Sequence, residues 1–341
     1  MKTSSLTLYS LALIAAGGLM AGCSSSSSGS SGVTPGMFSS ARTVSINGLL
    51  VPATHPNLNA LHHYQSVTPD KHKKKKKTAD QYLSSFDGST ILQFDYPKSD
   101  ASIGTISGVT DPSCECTNVL DGVGKHDYWV SAAGSDELDE FAFGGTTPVK
   151  TLAESTGEPA GCAIDPGTGN LAVAILGAGD VVIFANATGS GTAISDGLTS
   201  TYFDGYDTKG NLYVDGVNAS ALFELLMLPK GSSTFQTMST SNSVLAPGQV
   251  QWDGKYMTVD DQDGHAIYGY TCSGTSCTLK QTVSLSGSGD CVQTWIGKGL
   301  VFCPDATNGE GYVYKYPAGG SFIATLTGSW DLPIGAADIS K

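Results

Sequence analysis

The sequence predicts an all-β fold: a six-bladed β-propeller whose C-terminal strand completes the N-terminal blade. An apolar strand recurs along the chain, and its equivalent positions are Phe94, Phe141, Phe184, Leu226, Tyr268 and Tyr314. The steps between these positions are 47, 43, 42, 42 and 46 residues. A period of about 40 to 50 residues that contains only short strands is typical of propeller blades.

A second pattern precedes the first and consists of an apolar strand, a Gly/Asp/Asn turn and another apolar strand. It is clearest in residues 162–173 and 203–214, and residues 250–257 and 294–301 repeat it with shorter turns. The blade that begins at Gln81 has no such first strand before it. Residues 333–339 match the missing strand, so we expect them to close the first blade and remove an exposed sheet edge.

The composition agrees with one turn-rich domain over residues 81–341. The chain contains 43 glycines, and only 14% of its residues are charged. From Gln81 onward we count 10 Lys and no Arg against 29 Asp plus Glu, a net charge of about −19. Such an acidic domain disfavours a nucleic-acid partner, since nucleic-acid binding relies on basic surfaces.

Residues 1–22 resemble a bacterial lipoprotein signal peptide. Lys2 precedes an apolar segment over residues 6–20 that is too short for a lasting transmembrane helix, and Ala21-Gly22-Cys23 follows. The resemblance implies that Cys23 is lipidated and becomes the mature N-terminus, although Met20 stands where leucine is commoner. It implies a membrane partner through the lipid and export to the cell envelope, at the outer membrane or cell surface. An ordinary cleaved signal is the alternative.

Residues 23–80 are expected to be a flexible tether, rich in Ser and Gly at first and basic at residues 71–77. A flexible chain of this length spans roughly 40 Å. The basic run either contacts anionic lipid or polymer, or is a solvated spacer. The histidines of this segment are expected to reflect linker composition, with weak metal binding as the alternative; they are His55, His62, His63 and His72.

Seven cysteines remain after Cys23, and an exported protein is free to form disulfides. Cys272 and Cys277 flank a hairpin tip, and their small loop is expected to add roughly 2 kcal/mol of stability. Cys291 and Cys303 form the second expected pair. Cys162 is expected to reach Cys114 or Cys116 and to leave one thiol over. The alternative is a metal site at Cys114-Glu-Cys116 with His126, which lacks the usual zinc-ligand spacing.

The pocket expected in such a propeller is the mouth of the central channel, where the loops that enter the inner strands converge. A ring of polar residues is expected there as the ligand-binding site: Glu115, Glu158, Asp204, Gln249, Asp290 and Asp331. Crowding of carboxylates raises their pKa values and favours binding of a cation, a polyol or a cationic ligand. The alternative is that these residues are scattered on solubilising loops.

No cofactor and no metal site are assigned from the sequence, and calcium is the one candidate ion. Acidic turns at residues 135–140 and 260–264 have several carboxylates, which calcium requires. Both coincide with expected hairpin turns, where Asp-Gly is ordinary, and neither has the spacing of an EF-hand loop. Solvated turns are therefore the preferred interpretation.

Residues 170–184 and 211–226, with Asn170-Leu-Ala-Val and Asn211-Leu-Tyr-Val, resemble NHL-type six-bladed propellers. The resemblance covers about residues 81–341 and implies a fold more than a function. Some relatives of this shape are calcium-dependent lactonases, but their early Gly-Glu-Gly-Pro signature is absent here. Gly157-Glu158-Pro159 matches only part of it. Other relatives bind proteins or glycans at the channel face.

The preferred function is a non-catalytic module that binds a protein or carbohydrate partner, because no Ser/His/Asp set or strong metal motif is present. No catalytic residue is assigned. The alternative is a metal-assisted lactonase or hydrolase that uses the carboxylates of the channel mouth. A third possibility is a purely structural lipoprotein of the envelope.

Overall fold

The structure is a computed structural model that describes residues 43–46, 49–52, 81–86, 89–117, 127–142 and 144–338, with only the backbone for 43–46, 49–52 and 127. All of these belong to one unit, Pro35–Lys341. The expected signal peptide, the lipidation site Cys23, the four histidines and the basic run of the tether, and His126 lie outside the described residues. No helix among the described residues has the length and apolar character needed to cross a membrane.

The described chain is almost entirely β-structure, with two short 3-10 turns at Ala133–Ser135 and Ala185–Ala187. Its strands in chain order are β1 (Thr43–Ile46), β2 (Leu49–Pro52), β3 (Gln81–Ser85), β4 (Thr90–Asp95), β5 (Ser99–Ser107), β6 (Pro112–Thr117), β7 (Asp127–Ala132), β8 (Glu137–Ala142), β9 (Pro148–Ala153), β10 (Glu158–Ile164), β11 (Leu171–Leu176), β12 (Asp180–Phe184), β13 (Thr192–Ser195), β14 (Ser200–Tyr206), β15 (Leu212–Val217), β16 (Phe223–Leu228), β17 (Gln236–Thr240), β18 (Pro247–Trp252), β19 (Met257–Asp261), β20 (Ala266–Ser273), β21 (Ser276–Ser286), β22 (Trp295–Gly297), β23 (Leu300–Asp305), β24 (Glu310–Lys315), β25 (Gly320–Ser321), β26 (Ala324–Leu326) and β27 (Pro333–Asp338).

These strands form a propeller-like arrangement of antiparallel sheets. Four sheets have four strands each, in the orders β27-β3-β4-β5, β6-β7-β8-β9, β10-β11-β12-β13 and β22-β23-β24-β26. A nine-stranded sheet contains β14 to β21 and β25. Strands β1 and β2 form a separate hairpin inside the expected tether.

The two halves of the nine-stranded sheet are connected by only two residue pairs. Its two halves, β14 to β17 and β18 to β21, are antiparallel and have the same strand order as the four-stranded sheets. Between them, β17 and β21 run parallel and pair only Ser239 with Ser276 and Thr240 with Cys277. The number of separate sheets is therefore smaller than the six that the repeat predicts.

The expected pairing of the split sheet is present. Strand β27 pairs antiparallel with β3, and Ala336 lies opposite Leu83. The first and last four-stranded sheets also meet at their outer strands, where the Ser102 N–H donates to the Thr327 carbonyl at 2.9 Å and the Thr327 N–H donates to the Asp100 carbonyl at 2.7 Å. Residues distant in sequence thus hold the two ends of the domain together.

Each four-stranded sheet, and each half of the nine-stranded sheet, has a first strand that contacts the first strands of its two neighbours. We call these the inner strands: β27, β6, β10, β14, β18 and β22. All residues of β6 and β27 are buried, whereas the outer strand β21 alternates between exposed and buried residues. Inner strands are covered by neighbours on both faces, so they carry few exposed polar residues.

Inner strands approach each other closely because glycine occupies some of their contact positions. A Cβ atom at Gly161 of β10 would lie 2.6 Å from the Cα of Phe203 on β14. Such a contact is shorter than side chains tolerate, so a larger residue there would push the two strands apart. Glycine at this position allows β10 and β14 to pack closely at the centre of the domain, where the candidate site residues lie.

Candidate functional site

The six residues expected at the channel mouth lie at different depths. Asp331 precedes β27 and is exposed, Asp290 precedes β22 and is half-buried, and Glu158 is the half-buried first residue of β10. Glu115, Asp204 and Gln249 lie inside β6, β14 and β18 and are buried. The expectation that all six lie on entering loops is therefore corrected for these three and for Glu158, with which β10 begins.

The physical reason for this correction is the register of the inner strands. Strands β6 and β18 begin at Pro112 and Pro247, before the residues expected on their loops, and each has a bulge after its proline. A bulge adds a residue to one strand and changes which way the following side chains point. Positions counted back from the apolar pattern are consequently displaced by two or three residues.

The structure brings Gln249 and Asp204 together on neighbouring inner strands. The Gln249 Nε2 donates to the Asp204 carbonyl at 3.3 Å, and it also donates to the Val250 carbonyl at 2.8 Å. The Gln249 Oε1 and both carboxylate oxygens of Asp204 have no hydrogen-bond partner. Two members of the predicted set thus share one buried region.

Glu115 is bound through its backbone by a glutamine that the sequence did not single out. The Glu115 N–H donates to Gln293 Oε1 at 2.8 Å, and Gln293 Nε2 donates to the Glu115 carbonyl at 2.8 Å. Gln293 Oε1 also accepts the Ala336 N–H at 3.1 Å. This one side chain therefore joins β6, β27 and the segment that leads into β22, and it satisfies backbone groups that an inner strand leaves unpaired.

The carboxyl groups of Glu115 and Asp204 are fully buried, at 0% exposure, and their oxygens lack hydrogen-bond partners. Burial raises the pKa of each well above its usual value, because the charged form loses its hydration. A substrate from solution cannot contact these groups in this conformation. They are consequently poorly placed for hydrolysis of a substrate bound at the mouth.

Two further carboxyl groups are buried: Asp215 in β15, which the sequence did not single out, and Asp260 in β19, which was expected in an acidic turn. Burial raises the pKa of both well above their usual values, and for Asp215 the nearby Asp260 and Asp204 add to this effect. A signal was present in the sequence, since Val214-Asp215 and Val259-Asp260 place a carboxylate at the same point of two successive copies of the repeat.

Asp290 lies on the segment that leads into β22, near the expected channel mouth. Its N–H donates to Asp305 Oδ1 at 3.1 Å, and its own Oδ1 has no partner. Burial, followed by the charges of Asp305 and Asp263, raises the pKa of Asp290 to about 7. This group therefore titrates near neutral pH.

The acidic turns are engaged in hydrogen bonds of the fold. Residues 137–140 of the first expected turn lie instead in β8, where Thr151 Oγ1 donates to Asp139 Oδ1 at 2.6 Å and Lys150 Nζ lies 2.9 Å from Glu140 Oε2. In the second, Asp260 and Asp261 end β19, and the Asp261 carboxylate accepts backbone N–H groups of Leu245, Ala246 and Gly264 at 3.0 to 3.1 Å. These contacts give the carboxylates of Asp139, Glu140 and Asp261 a structural role.

The described part of the chain contains three disulfides, and the two expected pairs are confirmed: Cys272–Cys277 and Cys291–Cys303. The third joins Cys116 of β6 to Cys162 of β10 with a Cα–Cα distance of 5.6 Å. Cys116 is therefore not a thiolate ligand, which removes it from the alternative metal site. Cys114 keeps a free, buried thiol. Burial, with Asp204 and Glu115 nearby, raises the pKa of this thiol well above its usual value, so it stays protonated and is a poor nucleophile.

A cleft of about 510 Å³ lies at the opposite end of the strands, between the first and last four-stranded sheets. It contains an amide, two carboxylates, two lysines and aromatic and apolar surface; its lining residues are Gln81, Asp95, Tyr96, Pro97, Lys98, Lys298, Leu300, Phe302 and Asp338. None of these residues was predicted to belong to a site. They come from four strand ends and two turns that meet only when β27 pairs with β3.

Hydrogen bonds fix the floor of this cleft. Gln81 Nε2 donates to Asp338 Oδ1 at 3.3 Å, and Gln81 Oε1 accepts the Tyr96 N–H at 2.9 Å. Lys98 Nζ lies 2.9 Å from Asp95 Oδ1, and the Tyr96 ring packs edge-on to Phe302 with 6.1 Å between ring centroids. The half-buried Tyr96 thus presents aromatic surface next to charged and amide groups.

Comparison with solved structures confirms a β-propeller fold. The chain is similar to a chain of a nidogen/laminin complex, with a TM-score of 0.61 and 11% identity over 76% of this chain and 97% of that chain. It is similar to a protein of unknown function from Bacteroides caccae, with a TM-score of 0.56 and 14% identity over 76% and 98% of the two chains. A functionally unknown protein from Desulfotomaculum acetoxidans gives a TM-score of 0.50 and 14% identity over 76% and 88%.

No protein-family model matches the chain, and no curated protein matches it significantly. At identities of 11% to 14%, the structural similarities indicate a shared fold and carry no information on ligand or activity.

Proposed function

We propose that this protein is a lipid-anchored, non-catalytic propeller of the bacterial cell envelope that binds a carbohydrate in the cleft beside Tyr96. The cleft is the observation that carries the proposal. Its volume of about 510 Å³ falls within the range of small-molecule sites, roughly 300 to 1,000 Å³. A sugar ring offers an apolar face to an aromatic side chain and hydroxyl groups to carboxylates and amides, and the cleft contains all three types of group.

A protein partner fits the same cleft less well. A specific protein interface buries roughly 800 Å² on each partner and needs an extended surface, whereas the cleft is concave and compact. Two lysines beside two carboxylates also favour a ligand with many hydrogen-bonding groups over one with a single large charge. One or two sugar units match these features.

Six blades are part of the proposal. The two halves of the nine-stranded sheet have the same strand order as the four separate sheets, and they meet in two parallel residue pairs. If each half is counted as one blade, the number of blades equals the six copies of the sequence repeat. The NHL-type cadence of residues 170–184 and 211–226 supports this count.

The envelope location rests on the first 80 residues. We propose that residues 1–22 are a lipoprotein signal, that Cys23 carries the lipid, and that residues 23–80 tether the propeller of residues 81–341 to the outer membrane or cell surface. Three disulfides support export, because disulfides persist in oxidising compartments.

The test uses the full lipidated chain, purified in detergent and applied to an array of defined oligosaccharides. The strongest oligosaccharide is then titrated by calorimetry. Tyr96→Ala is expected to weaken its binding at least tenfold, because the aromatic wall is lost. Phe322→Ala removes an exposed aromatic ring that does not line the cleft, and it is expected to leave affinity unchanged. Absence of binding, or equal effects of both variants, would contradict the proposal.

Metal-assisted hydrolysis is the second candidate, and Asp290 is the observation that favours it. A carboxyl group with a pKa of about 7 suits general acid or base chemistry at neutral pH. A panel of lactones and esters, assayed with and without calcium, tests this candidate. Turnover that survives Glu158→Ala combined with Asp204→Ala would count against the use of these carboxylates.

A further inference from the structure

The two ends of the propeller are distinguished by the direction of the inner strands. Neighbouring inner strands run in the same direction: in β22 and β27, the Gln293 N–H donates to the Ile334 carbonyl at 3.0 Å near the start of the pair. A Cβ atom at Gly297 would lie 2.6 Å from Asp338 Oδ2 near its end. We call the end of the domain where the inner strands begin the entry end, and the end where they finish the exit end.

The lysines of the described residues lie towards the exit end. Because the sheets are antiparallel, this end has the turns from the first strand to the second and from the third to the outer strand. Six lysines lie in or next to these turns: Lys98, Lys209, Lys230, Lys255, Lys298 and Lys315. Lys150 and Lys280 lie in the first halves of the outer strands β9 and β21, which start at the exit end. All of these lysines except the half-buried Lys150 are exposed.

Most carboxylates of the exit end are withdrawn from the surface. Five of them are buried or half-buried and engaged in hydrogen bonds: Asp95, Asp165, Asp207, Asp253 and Asp338. Asp207, for example, accepts the N–H of Lys209 at 2.8 Å, whereas Lys209 itself is exposed. Asp100, near the start of β5, is an exposed carboxylate. The exposed charge of the exit end is therefore mainly positive.

The entry end has the opposite charge. Among the described residues it has no lysine, and His265 is its basic side chain. Its exposed or half-buried carboxylates include Asp111, Asp136, Asp180, Asp196, Asp263 and Asp331. A strand of six residues spans roughly 20 Å, which is more than twice the Debye length of about 8 Å at physiological salt. Each end therefore presents its own charge to a partner, despite the negative net charge of the domain.

The expected tether joins the propeller at the exit end. Residue 80 directly precedes Gln81, which begins β3 and pairs with Asp338 at the end of β27. The basic run of residues 71–77 ends four residues before Gln81, so its last lysine is at most about 14 Å away. The basic run and the exposed lysines of the propeller can therefore contact the same surface.

We propose that the exit end docks on the anionic surface of a lipid bilayer through its exposed lysines and the basic run. This inference rests on the lipid anchor of the proposed function, which holds the exit end near a membrane. Anionic lipid strengthens binding roughly fivefold for each lysine close to its surface. The acidic entry end is repelled, so it faces away from the membrane. The cleft beside Tyr96 lies at the exit end, so docking limits its access to solution.

The test uses the full lipidated chain with vesicles of phosphatidylcholine, alone or with about 30% phosphatidylglycerol. Flotation measures which vesicles carry the chain. An uncharged acetylating reagent then modifies the accessible lysines, and mass spectrometry measures the rate at each position. Acetylation of Lys209, Lys230 and Lys255 is expected to be at least tenfold slower on the anionic vesicles, because the bilayer covers them. About 0.5 M NaCl is expected to abolish the difference, because salt screens the attraction.

Two double variants locate the docking surface. Lys209→Gln combined with Lys255→Gln is expected to reduce the protection of Lys230 at least fivefold. The matched control is Ala178→Asp combined with Thr199→Asp, which lowers the net charge equally but changes exposed residues of the entry end. Protection of Lys230 in this control is expected to stay within twofold of the wild type.

Equal acetylation on both kinds of vesicle would show that the exit end does not dock, and the proposal would be wrong. Protection confined to residues 71–77 would show that the tether alone contacts lipid, which also overturns it. An equal loss of protection in the control would assign the effect to net charge. Flotation with anionic but not neutral vesicles would contradict the lipid anchor, whereas lysine protection on the anionic vesicles would still support the docking surface.

Discussion

At the residue scale, Asp290 links the mouth of the propeller to pH. In the unfolded chain its carboxyl group has a pKa near 3.8, whereas burial, with Asp305 and Asp263 nearby, raises it to about 7 in the folded state. Between these two values the folded state binds the proton more tightly than the unfolded state. Stability from this group is therefore full below about pH 4 and is lost as the pH rises towards 7.

We expect Asp290→Asn to reduce this pH dependence. Without a carboxyl group to ionise, the variant is expected to be more stable than the wild type by up to about 4 kcal/mol at pH 7.5 and by about 1 kcal/mol at pH 4.5, since each pKa unit corresponds to about 1.4 kcal/mol. Urea unfolding at several pH values, with EDTA present, measures the difference. A wild type and variant whose stabilities change in parallel with pH would contradict this assignment.

Single residues also show where sequence reasoning about the site succeeds and where it fails. Asp204 and Gln249 were predicted in one ring and share a hydrogen bond, but they lie inside β14 and β18 and not on the entering loops where they were predicted. Asp215 was not singled out, and Asp260 was expected in a solvated turn, because the sequence pattern does not distinguish a buried carboxylate in a strand from an exposed one. Gln293 escaped because its partners, Glu115 and Ala336, are 178 and 43 residues away.

At the element scale, two disulfides constrain the chain to different extents. Cys116–Cys162 joins neighbouring inner strands across 46 residues, whereas Cys272–Cys277 closes a hairpin of 5 residues. A cross-link restricts the unfolded chain more when it closes a longer loop. The bond between inner strands should therefore contribute more to stability than the hairpin bond.

Replacing both cysteines of each pair by alanine tests this difference. We expect the Cys116/Cys162 variant to lose about 4 kcal/mol of unfolding free energy and the Cys272/Cys277 variant about 2 kcal/mol, from the loop-length relation. Chemical denaturation of the two variants and the wild type under the same non-reducing conditions provides the comparison. A larger loss for the hairpin pair would show that loop length does not govern these bonds.

Most elements were predictable because their signals are local. Turns that contain Gly, Asp and Asn, together with alternating apolar residues, predict two strand pairs. These pairs, β10 with β11 and β14 with β15, begin and end close to the expected residues. The parallel pairing of β17 with β21 was not predictable, because it joins Ser239 and Thr240 to Ser276 and Cys277 through backbone groups alone. The cleft was hidden for a related reason, since its residues are contiguous only in space.

At the scale of the whole molecule, the domain depends on a strand contributed from its far end. Strand β27 covers the edge of β3, and its Ile334 and Ala336 are buried. Removing it would expose the edge of β3 and open the centre of the first sheet. An open edge of this kind pairs readily with other chains.

We expect deletion of residues 333–341 to lower the unfolding free energy by about 5 kcal/mol or more, from lost apolar burial and ladder hydrogen bonds, and to produce oligomers. Circular dichroism and size-exclusion chromatography measure these effects. Deletion of residues 339–341 alone is the control, because it leaves β27 intact, and it is expected to behave like the wild type. A monomeric, cooperatively folding 333–341 deletion would contradict the role given to β27.

The pairing of β27 with β3 also has a consequence for biosynthesis. The two strands are separated by more than 240 residues, so β3 leaves the ribosome long before its partner exists. Later sheets can assemble from neighbouring residues as translation proceeds, whereas the first must wait until residue 338 has emerged. During that interval the nascent chain carries an unpaired edge, and a chaperone or translocation factor that shields extended segments would have its greatest effect there.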